Sequence, residues 1–304
     1  MTRVAAIDCG TNSVRLLIAD LDGTTLTDVE RRMEIVRLGQ GVDRTGRLAP
    51  EALERTFTAM RGYAKLIGTH GAERVRVVAT SATRDAENRS EFVDGVVSVF
   101  GVPPEVVTGD EEARLSFTGA TRELSGRATP YLVVDIGGGS TEFVVGDRDV
   151  EGALSVDIGC VRLTERHLAP ADVPSPESVA ATVADIDAAL ARVADAVPVR
   201  DARTLVGLAG SVTTVAGIAL DLPGYLPDKI HHSVIGADRV HEVSRRLLTQ
   251  THDERAAIPV MHPGRVDVIA AGALILDRIM AEYGFAEVVV SEHDILDGIA
   301  WSLL

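Results

Sequence analysis

Two short segments of the chain place an acid, a glycine and a hydroxyl at one shared spacing. Asp8-Cys9-Gly10-Thr11-Asn12-Ser13 and Asp135-Ile136-Gly137-Gly138-Gly139-Ser140 both read Asp-x-Gly-x-x-Ser, and Asp8 to Asp135, Gly10 to Gly137 and Ser13 to Ser140 each span 127 positions. Each segment follows one apolar run and precedes another, so each is expected to turn between two strands rather than open a helix, unlike a dinucleotide-binding loop. Such a turn can aim several backbone N–H groups at an anion, with Thr11, Asn12, Ser13, Ser140 and Thr141 adding hydroxyl and amide donors. The two aspartates repel phosphate by themselves. They suit a hard cation that bridges to phosphate oxygens, Mg²⁺ or, with similar ligand preference, Mn²⁺. The competing reading, that the glycines only make tight turns and Asp8 and Asp135 cap them, stays open for either loop alone.

Further candidates surround these loops. Arg84 closes Thr80-Ser81-Ala82-Thr83-Arg84-Asp85, where its guanidinium could grip a phosphate through two bonds or simply pair with Asp85 or Glu87. Glu142 lies two residues beyond Ser140 and shares its strand face, a place from which to hold water or a metal's hydration shell. Gly210-Ser211 follows a strand and opens a helix, which suits an anion seat. Arg265 is expected to open a long late helix, where the dipole gives it no benefit. Asp110-Glu111-Glu112 at a helix start is explained by that same dipole. Arg15, on the second strand, reads equally well as structural. His231-His232 invite a metal reading, but neighbours on a strand point to opposite faces and no ligand motif surrounds them, so a loop or strand-edge role is expected.

The elements that must position these residues follow from periodicity and punctuation. Strands are predicted at 4–7, 14–19, 25–30, 74–79 and 105–107, with helices at 51–67, 87–100 and 111–124. After the polar stretch 125–130 the opening pattern returns: strands at 132–134, 141–146 and 150–157, helices at 176–196, 212–219, 237–249 and 265–282, strands at 204–208 and 286–290, and a tail helix at 295–304. A strand–turn–strand–turn–strand unit that occurs twice implies two related α/β lobes. We place the first at residues 1–124, joined by the tail from about 293, and the second at 125–292.

The bulk numbers narrow the classes. The chain has 304 residues, 46% hydrophobic and 25% charged, with a net charge of −15, which argues against nucleic-acid binding. A phosphorylated substrate would therefore need locally positive groups, namely arginine, backbone N–H and metal. Lys65 and Lys229 are the only lysines, and no Gly-Lys-Ser/Thr loop is present, which excludes P-loop nucleotide hydrolases. Cys9 and Cys160 form no CxxC pair, so neither a disulfide framework nor a cysteine zinc site is expected. No apolar run approaches the ~20 residues that span a bilayer, and a cytoplasmic protein without membrane partners is expected.

In combination, Asp8–Arg15, Thr80–Asp85, Gly109-Asp110-Glu111-Glu112-Ala113-Arg114, Asp135–Glu142, Gly159-Cys160-Val161-Arg162-Leu163, Gly207–Ser211, Arg265–Gly272, Ser291-Glu292 and Asp297-Gly298 resemble the exopolyphosphatase / guanosine pentaphosphate phosphohydrolase family. The resemblance runs through the chain in the family's order. It implies two ribonuclease-H-like lobes of the actin-like ATPase superfamily, mixed sheets around an interlobe cleft, and Mg²⁺-dependent release of the terminal phosphate of polyphosphate. It also implies Glu112 as the catalytic base, with Glu111 as the residue most easily confused with it. A homodimer is implied as well, and a monovalent cation is compatible. Longer members carry further C-terminal domains, including a helical HD-type one, and this chain is expected to be a short form. Guanosine pentaphosphate is the alternative substrate. A sugar or acyl kinase, or a non-catalytic actin-like nucleotide-binding protein, is the more distant alternative.

Overall fold

The computed structural model describes residues 2–124 and 126–304, so Ser125 of the polar boundary stretch lies outside the described residues. The chain forms two compact units. The first runs to Arg122 and regains Asp294–Leu304; the second is Glu123–His293.

The first unit is built on five strands, β1 (Thr2–Cys9), β2 (Ser13–Leu21), β3 (Leu26–Ile35), β4 (Arg74–Ala79) and β5 (Glu105–Val106), in the order β3-β2-β1-β4-β5. β1, β2 and β3 pair antiparallel, whereas β4 joins β1 in parallel and β5 follows β4. β1 is apolar almost throughout because it is covered on both sides. Ala5, Ile7 and Cys9 face a core shared with Met60 and Ile67, while Val4 and Ala6 face Leu296, Ile299 and Trp301. The helix behind the first face, Pro50–His70, starts with proline and stops at Gly71 in a left-handed conformation, as expected for a residue without a donor at one end and one without a Cβ at the other.

The other face is covered by the tail helix Ile295–Trp301 against helix Gly109–Thr121. Their crossing is close enough to need glycine. A Cβ on Gly119 would collide with the Asp294 carbonyl, and one on Gly298 with the Leu115 carbonyl.

The second unit repeats the plan with six strands: β6 (Tyr131–Ile136), β7 (Thr141–Gly146), β8 (Val150–Val156), β9 (Thr204–Leu208), β10 (Val234–Gly236) and β11 (Glu287–Val290). Their order is β10-β11-β9-β6-β7-β8. β6, β7 and β8 are again antiparallel, and β9 and β11 again extend the sheet in parallel. Leu132, Val134 and Ile136 bury one face of β6 with Ile186, Leu190 and Ile275 from the covering helices. Both sheets thus have the mixed, ribonuclease-H-like order expected of them. Among the described residues no helix is long and apolar enough to cross a membrane.

Some elements depart from the expected boundaries. β3 continues to Ile35, five residues past the end read from sequence. The expected helix at 265–282 starts only at Ile269, because Pro263–Arg265 makes a separate 3₁₀ turn; proline fixes that turn and removes a donor. Arg265 therefore ends a turn instead of opening a helix. His231 and His232, by contrast, lie in a loop, one of the two placements expected of them: they follow the short helix Pro227–Ile230, and His232 is left-handed with φ 59°.

Candidate active site

In the first unit Asp8 lies near the end of β1, directly across from Arg15 on β2. Residues opposed in an antiparallel pair project to one face, and here they form an ion pair. Arg15 Nε and Nη2 donate to Asp8 Oδ2 at 2.9 and 2.7 Å, while Nη1 donates to Asp294 Oδ2. Asp8 Oδ1 is buried and has no hydrogen-bond partner among the described residues. Burial pushes the Asp8 carboxyl up, and Arg15 pulls it back only in part. At Asp294 burial also opposes charge, but Arg15, the Leu296 N–H and Arg31 together hold that carboxyl below its usual range. The triad is thus an arginine shared between two buried acids.

The turn that follows is closed by Gly10 N–H to Ser13 O at 3.0 Å. Its carbonyls are engaged outward: Thr11 O accepts from Gly39, and Asn12 O from Val36 and Arg37. Thr11 Oγ1 lies 2.9 Å from Ser81 Oγ. That contact ties the turn to the short helix Ser81–Asp85, which carries Arg84.

Arg84 turns toward the start of the helix that carries Glu112. Its Nη1 donates to Val107 O at 3.1 Å and to Glu112 Oε2 at 3.0 Å. Glu112 sits in the first turns of helix Gly109–Thr121, whose N-cap Thr108 accepts from Glu111 N–H. The structure separates the two neighbouring acids. Glu112 is 7% exposed, whereas the Glu111 carboxylate lies outward on Arg76, 3.0 Å away.

In the second unit the same turn recurs, with Gly137 N–H to Ser140 O also at 3.0 Å. Its carbonyls are held from the far side. Cys160 N–H donates to Gly137 O, Val161 and Arg162 N–H to Gly138 O, and Arg162 Nε to Gly139 O at 2.6 Å. A turn whose carbonyls are drawn to the far side can present its N–H groups to an anion. Gly159 must be glycine, since a Cβ there would strike the Gly138 peptide.

The partner across from Asp135 is Glu142. Glu142 is 1% exposed and accepts from Ser155 Oγ at 2.8 Å. Arg15 and Glu142 occupy equivalent positions of the repeat. The residue across the hairpin from the aspartate is thus a guanidinium in the first unit and a further acid in the second. Two buried carboxylates on one face favour a cation between them.

Gly210, Ser211 and Arg265 also come together. The Arg265 guanidinium lies flat against Gly210, where a Cβ would hit it, and Nη1 donates to Thr214 Oγ1 at 3.1 Å. Gly272 leaves room for the Ser211 hydroxyl. Cys9 and Cys160 are buried, and burial pushes both thiols up, which makes neither a nucleophile.

The clamp of Arg15 on Asp8 was not read from the sequence, although the hairpin register implied by the shared turn would have paired them. Asp294 had no signal at all, being remote in the chain. Arg162 lay within a recognised motif without an assigned task.

Residues 17–304 match the model of the Ppx/GppA phosphatase family. The chain belongs to that family. Exopolyphosphatase 2 of Mycobacterium tuberculosis is 50% identical to it over 100% of this chain and 99% of the relative. Among solved structures, an exopolyphosphatase-like protein superposes with a TM-score of 0.96 at 41% identity, covering 99% of this chain and 97% of the other. A Ppx/GppA family member from Aquifex aeolicus superposes with a TM-score of 0.81 at 31% identity, covering 99% and 97%. The match to the Ppx/GppA family model spans both units, so both copies of the Asp-x-Gly-x-x-Ser turn fall in chain related to it or flank its first matched residue.

Proposed function

We infer that this chain is a phosphoanhydride hydrolase, an exopolyphosphatase that cleaves the terminal phosphate from inorganic polyphosphate as orthophosphate. The observation that carries this reading is the Arg84–Glu112 pair: a buried carboxylate held 3.0 Å from a guanidinium, in a chain whose full-length relatives include exopolyphosphatases. Water attacks the terminal phosphorus, the bond from phosphorus to the bridging oxygen breaks, and Glu112 takes the water's proton. A positioned base contributes typically about 10²–10⁴-fold. The Arg84 guanidinium matches the geometry of phosphate oxygens, so substrate would compete with Glu112 for it and leave the carboxylate less neutralised.

The turns supply the binding of charge. Thr11, Asn12 and Ser13 in one unit, and Gly137, Gly138, Gly139 and Ser140 in the other, offer donors to phosphate oxygens. Gly210, Ser211 and Arg265 are proposed to hold phosphates further along the chain. The donor set fits Mg²⁺: Asp8 has a buried oxygen without a partner, and Asp135 lies beside Glu142. We propose Asp8 and Asp135 as its ligands, with Glu142 as a third carboxylate or an anchor for metal-bound water. Mg²⁺, when bound, would offset the charge that builds on the transferred phosphoryl group.

The deciding experiment measures orthophosphate release from polyphosphate of defined lengths, from guanosine pentaphosphate and from ATP, with Mg²⁺ and with EDTA. Polyphosphate should be the best substrate and EDTA should stop turnover. Preference for guanosine pentaphosphate would replace the substrate assignment and keep the hydrolase. Turnover that persisted in EDTA would overturn the metal assignment.

A further inference from the structure

Outside these turns the second unit gathers three imidazoles around one carboxylate. The His231 and His232 rings stack with centroids 3.7 Å apart, and the His293 ring lies 4.6 Å from His231. His293 Nδ1 is 3.3 Å from Glu123 Oε2. One ligand atom from each of Glu123, His231 and His293 lies within 4.8 Å of the others. Two further features set the cluster apart. His232 adopts φ 59°, a left-handed conformation uncommon without glycine and often kept where function requires it. Its Nε2 is buried with no hydrogen-bond partner among the described residues.

We infer that Glu123, His231 and His293 form a binding site for a transition-metal dication of the Zn²⁺ class. The donor set distinguishes it from the Mg²⁺ site proposed above. Magnesium takes oxygen ligands almost exclusively, whereas two imidazoles and a carboxylate are a familiar zinc set with a fourth position open. Ligand atoms about 2.0–2.1 Å from a tetrahedral ion lie roughly 3.3 Å apart. His293 and Glu123 already have that separation, and His231 offers a ligand atom within 4.8 Å of both residues.

Loading has a definite chemical consequence. A neutral imidazole has one acceptor lone pair, and that of His231 accepts from Glu292 N–H at 3.1 Å. A metal takes the same lone pair, so the Glu292 bond breaks when the ion binds. The Glu292 carboxylate lies 2.7 Å from the Tyr225 hydroxyl, which is also 2.8 Å from Thr213 Oγ1. Thr213 belongs to the helix that begins at Ala209 and carries Gly210 and Ser211. The metal would thereby bear on the proposed distal phosphate seat without being part of the phosphoryl chemistry. The charged groups around the cluster are Glu123 and Glu292, with Arg127 near His232.

The test is calorimetric titration of the full chain with Zn²⁺ in excess Mg²⁺ at pH 7.5, repeated with Glu123→Gln, His231→Gln and His293→Gln. We expect one Zn²⁺ per chain that Mg²⁺ does not displace, weakened at least tenfold in each variant. In the unsubstituted chain the Glu292 amide resonance should shift on loading. Glu123 is exposed, so its variant keeps the test valid should either histidine variant fold poorly. Zn²⁺ bound equally by the Glu123→Gln chain and the unsubstituted one, or no Zn²⁺ bound in excess Mg²⁺, would overturn the site.

Discussion

Arg84 Nη1 lies 3.0 Å from Glu112 Oε2, so the proposed phosphate-gripping guanidinium and the proposed base are one hydrogen-bonded pair. Glu112→Gln should lower kcat by about 10²–10⁴-fold with little change in stability, because the amide keeps the shape and can still accept from Arg84. Arg84→Gln should raise KM and lower kcat together, since it loses both a phosphate contact and the group that orients Glu112. Steady-state kinetics on polyphosphate read both; near-normal kcat in Glu112→Gln would remove it as the base.

Arg15 holds two buried carboxylates, and its loss would leave both uncompensated. Removing one partner of a buried pair typically costs about 3–5 kcal/mol. Arg15→Met should therefore shift the urea midpoint strongly downward. Adding Asp8→Asn to that variant should restore part of the loss, as one stranded charge disappears. If the double variant were no more stable than Arg15→Met, stranding of the Asp8 charge would not be the cause.

Two classes of glycine should respond oppositely. Gly298→Ala drives a methyl group into the Leu115 carbonyl and should cost at least about 1–3 kcal/mol. Gly62, within helix Pro50–His70, has open space where a Cβ would be. Gly62→Ala should stabilise by roughly 0.5–1 kcal/mol through helix propensity. Denaturant unfolding of the two variants compares them directly.

The β2–β3 turn gives a pH signature. Backbone N–H groups of Thr25 and Thr24, helped by the Thr25 hydroxyl, lower the Asp22 carboxyl to about 2. A depressed folded pKa stabilises the fold above the unfolded value and loses that effect as pH falls. The contribution of Asp22 should be complete above about pH 4 and vanish toward pH 2. Asp22→Ala should thus be less stable than the unsubstituted chain at neutral pH and equal to it near pH 2. Carboxyl NMR that put Asp22 near 3.8 would contradict this.

Much of the fold was legible because its signals are local. Arg74–Ala79, Thr141–Gly146, Pro176–Ala196 and Ala237–Thr249 have the bounds expected from apolar period, caps and proline. Arg265 was misplaced because the run after Pro263 has helical composition, and only the 3₁₀ turn decides where the helix starts. The Glu123–His231–His293 cluster was invisible, since its members are far apart in the chain and the signal that was visible, His231-His232, pointed away from a metal.

The sequence by itself determined the two related halves, the paired Asp-x-Gly-x-x-Ser turns and the family, because repeats, turn chemistry and strand periodicity are written along the chain. Only the tertiary structure decided which charges meet. It gave Asp8 an arginine and Asp135 a glutamate at equivalent positions, turned Glu112 inward and Glu111 outward, and brought Asp294 back to Arg15. The two hairpin pairs follow from strand register once the turns are known, but the side that Glu112 faces and the return of Asp294 depend on helix packing, which no spacing along the chain specifies.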